Sequence, residues 1–144
     1  MKKAITLVLS TLLLAGCTSL VPPPRPPVAS TPPATPDAGP STLDAEYVES
    51  EPLIGAMSSV RGTDDVGPVP ARTGRVAVYI RCWGDGILHV EIDRSASLTQ
   101  QCLRDETDPG TRNTFNIIGD DVRVTGSADN GNLWAIAVTE IPPR

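Results

Sequence analysis

Apolar and polar residues alternate along short segments of the C-terminal half of the chain, as they do in β-strands with one buried face. The clearest alternation predicts strands at 75–82 and 87–93, with two inward-facing sets, Val76, Val78, Ile80 and Cys82, then Leu88, Val90 and Ile92. Weaker patterns predict strands at 97–103, 113–118, 122–127 and 133–139. Residues 74–141 are therefore predicted to form an all-β domain, a small antiparallel β-sandwich or barrel of about six strands, followed by a tail at 142–144.

Turn residues separate these strands. Gly84-Asp85-Gly86 and Asp129-Asn130-Gly131 are typical of hairpin turns, because glycine and asparagine accept positive φ angles. We therefore expect the strands on either side of each turn to pair with each other. The segment at 133–139 is apolar on both faces, which predicts a central strand.

Residues 41–73 show no clear period. Ser41 to Asp44 matches a helix-capping pattern, so one short helix is possible before Pro52, and a second stretch rich in Gly, Asp and Pro follows. The sequence predicts a loop-rich transition segment, and we expect the β domain to fold without residues 18–60.

The N-terminus has the features of an export signal. Two lysines, Lys2 and Lys3, precede an apolar run at 4–16 that is shorter than the roughly 20 residues a membrane-spanning helix needs. The run ends in Leu14-Ala15-Gly16-Cys17, which resembles the lipobox of bacterial lipoproteins. That resemblance implies a signal peptide at 1–16, a lipid on Cys17, and attachment to the extracytoplasmic side of a membrane.

Nine of the 15 prolines of the chain lie between Pro22 and Pro40. Proline has no backbone N–H and cannot continue a helix or a central strand. Residues 17–40 are therefore predicted to be a disordered, proline-rich tether between the lipid and the domain.

The chain has three cysteines. If Cys17 carries a lipid, Cys82 and Cys102 are left as an even pair in an oxidising compartment, which favours one disulfide. The alternative is two free buried thiols. A bridge would tie the weakly apolar segment at 97–103 to the strand that ends at Cys82.

Charge and motifs exclude several functions. The formal net charge is −5, and both lysines lie in the signal segment, so nucleic acid is not an expected partner. No nucleophile motif, metal-ligand spacing or phosphate-binding loop is present, so we expect no catalytic residues, no metal and no cofactor. Acidic residues in loops such as 105–108 are common in turns, so they do not by themselves indicate a metal site.

A candidate binding surface follows from the alternation. Tyr79, Arg81 and Trp83 point outward from one predicted strand, and His89 and Glu91 point outward from the next. Paired across a hairpin, they would form a strip of aromatic and polar side chains suited to a protein or sugar. The alternative is that Trp83 folds over the disulfide and Tyr79 packs under the segment at 41–73.

Residues 74–141 resemble small envelope lipoproteins of the actinobacterial type, whose functions are uncharacterised. The resemblance rests on Val78 to Cys82, the Gly84 to Gly86 turn and the segment at 133–138, and it implies a compact β domain on a lipidated stalk. Tyr79 to Cys82 is also similar to bacterial lysozyme inhibitors, but their inhibitory motif is absent.

We therefore expect a lipid-anchored, non-enzymatic binding module for a surface or envelope protein. The alternative is a module that binds carbohydrate or peptidoglycan, and lysozyme inhibition is a minor third possibility.

Overall fold

The computed structural model describes residues 39–143 except 94 and 130. The predicted signal peptide, the predicted lipidation site Cys17 and nearly all of the predicted tether lie outside these residues. Eight strands follow one another: β1 (Leu53–Val60), β2 (Thr63–Pro70), β3 (Arg75–Trp83), β4 (Ile87–Ile92), β5 (Ala96–Gln101), β6 (Thr111–Asn116), β7 (Asp121–Ala128) and β8 (Leu133–Glu140). The all-β prediction is confirmed, with eight strands where about six were expected.

The strands form two antiparallel sheets of four that pack as a sandwich. Sheet I has the order β1-β8-β3-β6, and sheet II has the order β2-β7-β4-β5. Only β4 and β5 are neighbours both in the chain and in a sheet; every other connection carries the chain from one sheet to the other. The predicted hairpins at 84–86 and 129–131 are therefore wrong, because β3 and β4 belong to opposite sheets, and so do β7 and β8.

The predicted inward-facing sets are buried between the two sheets. Val76, Val78 and Ile80 of β3 are no more than 1% exposed, and so are Leu88, Val90 and Ile92 of β4. The strand β8 is buried along its whole length except for its last residue, as a central strand should be. It pairs with β1 on one side and β3 on the other.

The transition segment at 41–73 contains two strands, so its interpretation as loop with a possible short helix is corrected. The strand β1 pairs with β8, and its Ile54 and Met57 pack against the core. Its alternation is interrupted because the register shifts between Met57 and Val60, where Ser59 adopts a φ of 57°. A strand with such a bulge has no clean period of two.

The strand β2 was not predicted from the sequence, because prolines are rare inside strands. It is an edge strand that pairs only with β7, and its register shifts between Val66 and Val69. Pro68 lies inside this irregularity, where a missing N–H costs no ladder hydrogen bond. Gly67 beside it has a φ of 117°, which a residue with a side chain rarely adopts.

The predicted disulfide is present. Cys82 of β3 and Cys102, directly after β5, are bonded with their Cα atoms 4.6 Å apart. Because β3 belongs to sheet I and β5 to sheet II, the bond links the two sheets. Backbone hydrogen bonds from Cys102 to the Gly86 carbonyl (2.9 Å) and from Leu103 to the Cys82 carbonyl (3.1 Å) flank it.

Candidate functional site

The five residues of the predicted binding surface lie on opposite sides of the sandwich. Tyr79, Arg81 and Trp83 belong to the outer face of sheet I, whereas His89 and Glu91 belong to the outer face of sheet II. The continuous strip was predicted on the assumption that β3 and β4 form a hairpin. That assumption is wrong, so the structure offers two separate faces.

Residues 39–51, here called the N-terminal strap, cover the outer face of sheet I. Leu43 is only 4% exposed and forms one apolar cluster with Trp83, Leu133 and Ala135. Gly39 lies directly against the Trp83 indole: a Cβ on this glycine would come within 2.1 Å of the ring. Trp83 is therefore buried.

Tyr79 is buried by the same segment. It is 6% exposed, packs with Ala77 and Ala137, and meets the ring of Tyr47 edge-on at a centroid distance of 6.5 Å. Of the alternative left open by the sequence, the structure supports the packing of Tyr79 under residues 41–73. Trp83 instead packs with Leu43 and not in the apolar cluster that contains Cys82 and Cys102. Tyr79 and Trp83 are thus parts of the fold and not free contact residues.

A polar cluster fixes the C-terminal end of the strap. The Glu51 carboxylate accepts hydrogen bonds from the Tyr79 hydroxyl (2.8 Å) and the Thr139 hydroxyl (2.7 Å), and it pairs with Arg112. Arg112 also donates from Nε to the Tyr79 oxygen at 2.8 Å. Partial burial alone would raise the pKa of Glu51, but the hydrogen bonds from Thr139, Tyr79 and Arg112 lower this pKa below its ordinary value of 4.5.

The rim of the same face is basic. The guanidinium of Arg104 lies 5.2 Å from the centroid of the Trp83 ring and donates to Asp85 at 2.7 Å. Arg81 donates to the backbone carbonyl of Glu106. No described residue accepts a hydrogen bond from the buried Nε of Arg81.

The outer face of sheet II is different in character. His89 and Glu91 are exposed, as the sequence predicts. His89 lies between Thr99 of β5 and Ser127 of β7, and Glu91 lies between Ser97 and Thr125 on the same two strands. These six side chains line an open depression of about 380 Å³, together with Val90 and Leu98.

A second depression continues from the first. It has a volume of about 440 Å³, shares His89 and Ser127 with its neighbour, and extends to Asp85, Gln101 and Asp129. Together the two form a surface of hydroxyl, amide, imidazole and carboxylate groups with the aliphatic Leu98 and Ile87 among them. The lining residues include no Phe, Tyr or Trp. Such a surface can exchange hydrogen bonds with a partner over a broad area.

Most of the residues that surround His89 were not predicted from the sequence. Thr125 and Ser127 alternate with the inward-facing Val124 and Ala128, so the period of two alone indicated their outward direction. Their position beside His89 depends on the pairing of β7 with β4, which local sequence does not specify. Glu51 and Arg112 are 61 residues apart in the chain, and no local signal connects them.

Within the described residues, no group of three or more His, Cys, Asp or Glu side chains is arranged to hold a metal ion. None of the elements described there is a helix long and apolar enough to cross a membrane. The fold and its faces define a small, disulfide-linked β-sandwich with one covered and one open outer face. No protein-family model, curated protein or solved structure matches the chain.

Proposed function

We propose that this chain is a lipid-anchored cell-envelope protein whose β-sandwich is a non-catalytic binding module for a surface or envelope protein. The lipobox-like Leu14 to Cys17 and the proline-rich segment that follows support the anchor. The observation that carries the binding role is the open, hydroxyl-lined face of sheet II around His89.

A protein partner is favoured over a glycan by the chemistry of that face. Sugar-binding surfaces commonly stack aromatic rings on the sugar, and the glycan hypothesis depended on Tyr79 and Trp83. Both rings are buried under the N-terminal strap. The groups that remain exposed are hydrogen-bonding side chains together with the aliphatic Ile87, a mixture that suits the backbone and side chains of a protein.

Cross-linking in intact cells tests the binding role. A photo-reactive amino acid at Thr99, in the depression, should give a discrete cross-linked species with an envelope protein. The matched control is Ile118, an exposed residue in the connection between β6 and β7 that lines neither depression. Ser127→Arg should abolish the Thr99 cross-link by filling the depression. Equal cross-linking from both positions, or loss of the Thr99 product when intact peptidoglycan is digested, would contradict a protein partner on this face.

A separate experiment tests the anchor. Cys17→Ala should prevent incorporation of radiolabelled palmitate and move the protein out of the detergent phase, whereas Cys82→Ala should leave both unchanged. A Cys17→Ala variant that is still labelled and still partitions into detergent would refute lipidation at this site.

A further inference from the structure

The N-terminal strap lies on sheet I in the way that a bound peptide lies on a receptor. Three of its apolar residues, Leu43, Ala45 and Tyr47, are spaced by two, as in an extended chain, and a fourth, Val48, is exposed. Leu43 is buried, Ala45 is half-buried, and Tyr47 is 42% exposed. The strap belongs to none of the eight strands, so its apolar side chains contribute much of its contact with the sheet.

Hydrogen bonds hold the strap at one point near each end. The Leu43 amide donates to the Ser59 hydroxyl at 2.8 Å, and the Ser59 amide donates to the Leu43 carbonyl at 2.9 Å. At the other end, Glu51 is held by the cluster of Tyr79, Thr139 and Arg112 side chains. A segment held by few backbone hydrogen bonds can open locally without unfolding the sheets beneath it.

The strap and the face beneath it carry opposite charges. The strap carries four acids, Asp44, Glu46, Glu49 and Glu51, and contains no lysine or arginine. On the face beneath it, Arg104 lies against the ring of Trp83 and Arg112 against the ring of Tyr79, and Arg81 occupies the position between these two rings on β3. On this face, the buried Nε–H of Arg81 has no hydrogen-bond acceptor among the described residues.

We propose that the outer face of sheet I is a second binding groove, for an acidic extended protein segment, and that the N-terminal strap occupies it as an intramolecular ligand. The apolar cluster around Trp83 takes an aliphatic side chain, and Arg112 with Tyr79 takes a carboxylate eight positions further along the segment, as Leu43 and Glu51 do. Opening of the strap frees the groove for a partner segment with the same pattern. This groove is independent of the lipid anchor and of the open face of sheet II.

A labelled synthetic peptide of residues 39–52 tests the groove. It is added to the intact chain and to its Leu43→Asp variant, in which the strap is weakened and the groove is unaltered. The peptide should bind the variant about tenfold more tightly than the unaltered chain. In the variant, the weakened strap competes less strongly with the peptide for the groove. A peptide that itself carries Leu43→Asp should bind neither protein. No saturable binding to the variant, or equal binding of the two peptides, would overturn the proposal.

A second pair of variants tests whether the Glu51 carboxylate of the peptide binds Arg112. With the Leu43→Asp chain, adding Arg112→Gln should weaken binding of the unaltered peptide but have little effect on a peptide that carries Glu51→Gln. Such coupling places the peptide carboxylate on Arg112 and not elsewhere on the basic rim. Equal weakening for both peptides would contradict the assigned register.

Thiol labelling tests whether the strap opens in a chain whose Leu43 contact is kept. Ala45→Cys places a half-buried thiol in the strap, and Thr114→Cys supplies the exposed reference for intrinsic reactivity. The thiol at position 45 should label faster than the protein unfolds globally, with a rate that low denaturant hardly changes. Labelling only at the rate of global unfolding would show that the strap is a fixed part of the sandwich and would overturn its role as a displaceable ligand.

Discussion

The phenol of Tyr79 donates a 2.8 Å hydrogen bond to the carboxylate of Glu51, which precedes it by 28 residues. This bond joins the central part of β3 to the end of the strap. It explains why an outward-pointing tyrosine in a β-strand is not a surface residue. It also makes Glu51 the polar group on which the covering of sheet I depends most directly.

Glu51→Gln should lower the free energy of unfolding at neutral pH by roughly 1–3 kcal/mol, because hydrogen bonds to a charged acceptor are lost and their donors are left poorly paired. Denaturant unfolding measures this difference. Asp85→Asn is the matched control: the exposed pair of Asp85 with Arg104 contributes little, so this variant should remain close to the unaltered chain.

The same carboxylate predicts a pH dependence. The pKa of Glu51 is lower in the folded chain than its ordinary value of 4.5, so the folded state binds fewer protons than the unfolded state in this range. The contribution of Glu51 to stability is therefore present above pH 4.5 and is lost as the pH falls through the folded pKa. Between about pH 6 and about pH 3, the unaltered chain should lose more stability than Glu51→Gln. Parallel pH profiles for the two proteins would contradict this assignment.

Reduction of the disulfide should lower the free energy of unfolding by about 2–4 kcal/mol, because the bond restricts the unfolded chain. The edge strand β5 should loosen first, since it pairs only with β4 and the bond attaches its end to β3. Hydrogen exchange with and without reductant measures the effect. Faster exchange in β8 with no change at 96–101 would show that the bond does not hold this edge.

Gly126 is expected to tolerate no side chain. A Cβ at this position of β7 would lie 2.6 Å from the ring of Trp134, which is fully buried on β8 in the facing sheet. Gly126→Ala should therefore destabilise the protein by about 1–3 kcal/mol through overpacking. Gly131→Ala is the control, because a Cβ added to this glycine would meet nothing within 4 Å. Equal stability of the two variants in thermal unfolding would contradict this packing.

Removal of residues 18–60 should abolish cooperative folding, contrary to the expectation from the sequence. That deletion takes away β1, leaves β8 without one of its two neighbours and strips Ile54 and Met57 from the core. Removal of residues 18–38 leaves every described contact of the sandwich in place, so this shorter deletion should keep a cooperative thermal transition. Two deletions with the same transition would show that β1 is dispensable.

The sequence by itself determined which residues of each regular strand face the core. Val76, Val78 and Ile80, and likewise Leu88, Val90 and Ile92, were predicted from the period of two and are buried as expected. The pairing of Cys82 with Cys102 was also expected, from an odd cysteine count and the lipobox-like Leu14 to Cys17. The inward faces follow from the local pattern of each strand, and the cysteine pair follows from the number of cysteines and one short motif.

Only the tertiary structure decided which strands are neighbours and which outward faces stay open. Alternation specifies the inward side of a strand but not its partner, and glycine-rich turns suit a hairpin as well as a connection between sheets. The sequence could therefore not show that β3 and β4 lie in opposite sheets, which separates Tyr79 and Trp83 from His89 and Glu91. Nor could it show that residues 39–51 cover the first pair, because that contact joins residues far apart in the chain through apolar packing and a few long-range hydrogen bonds.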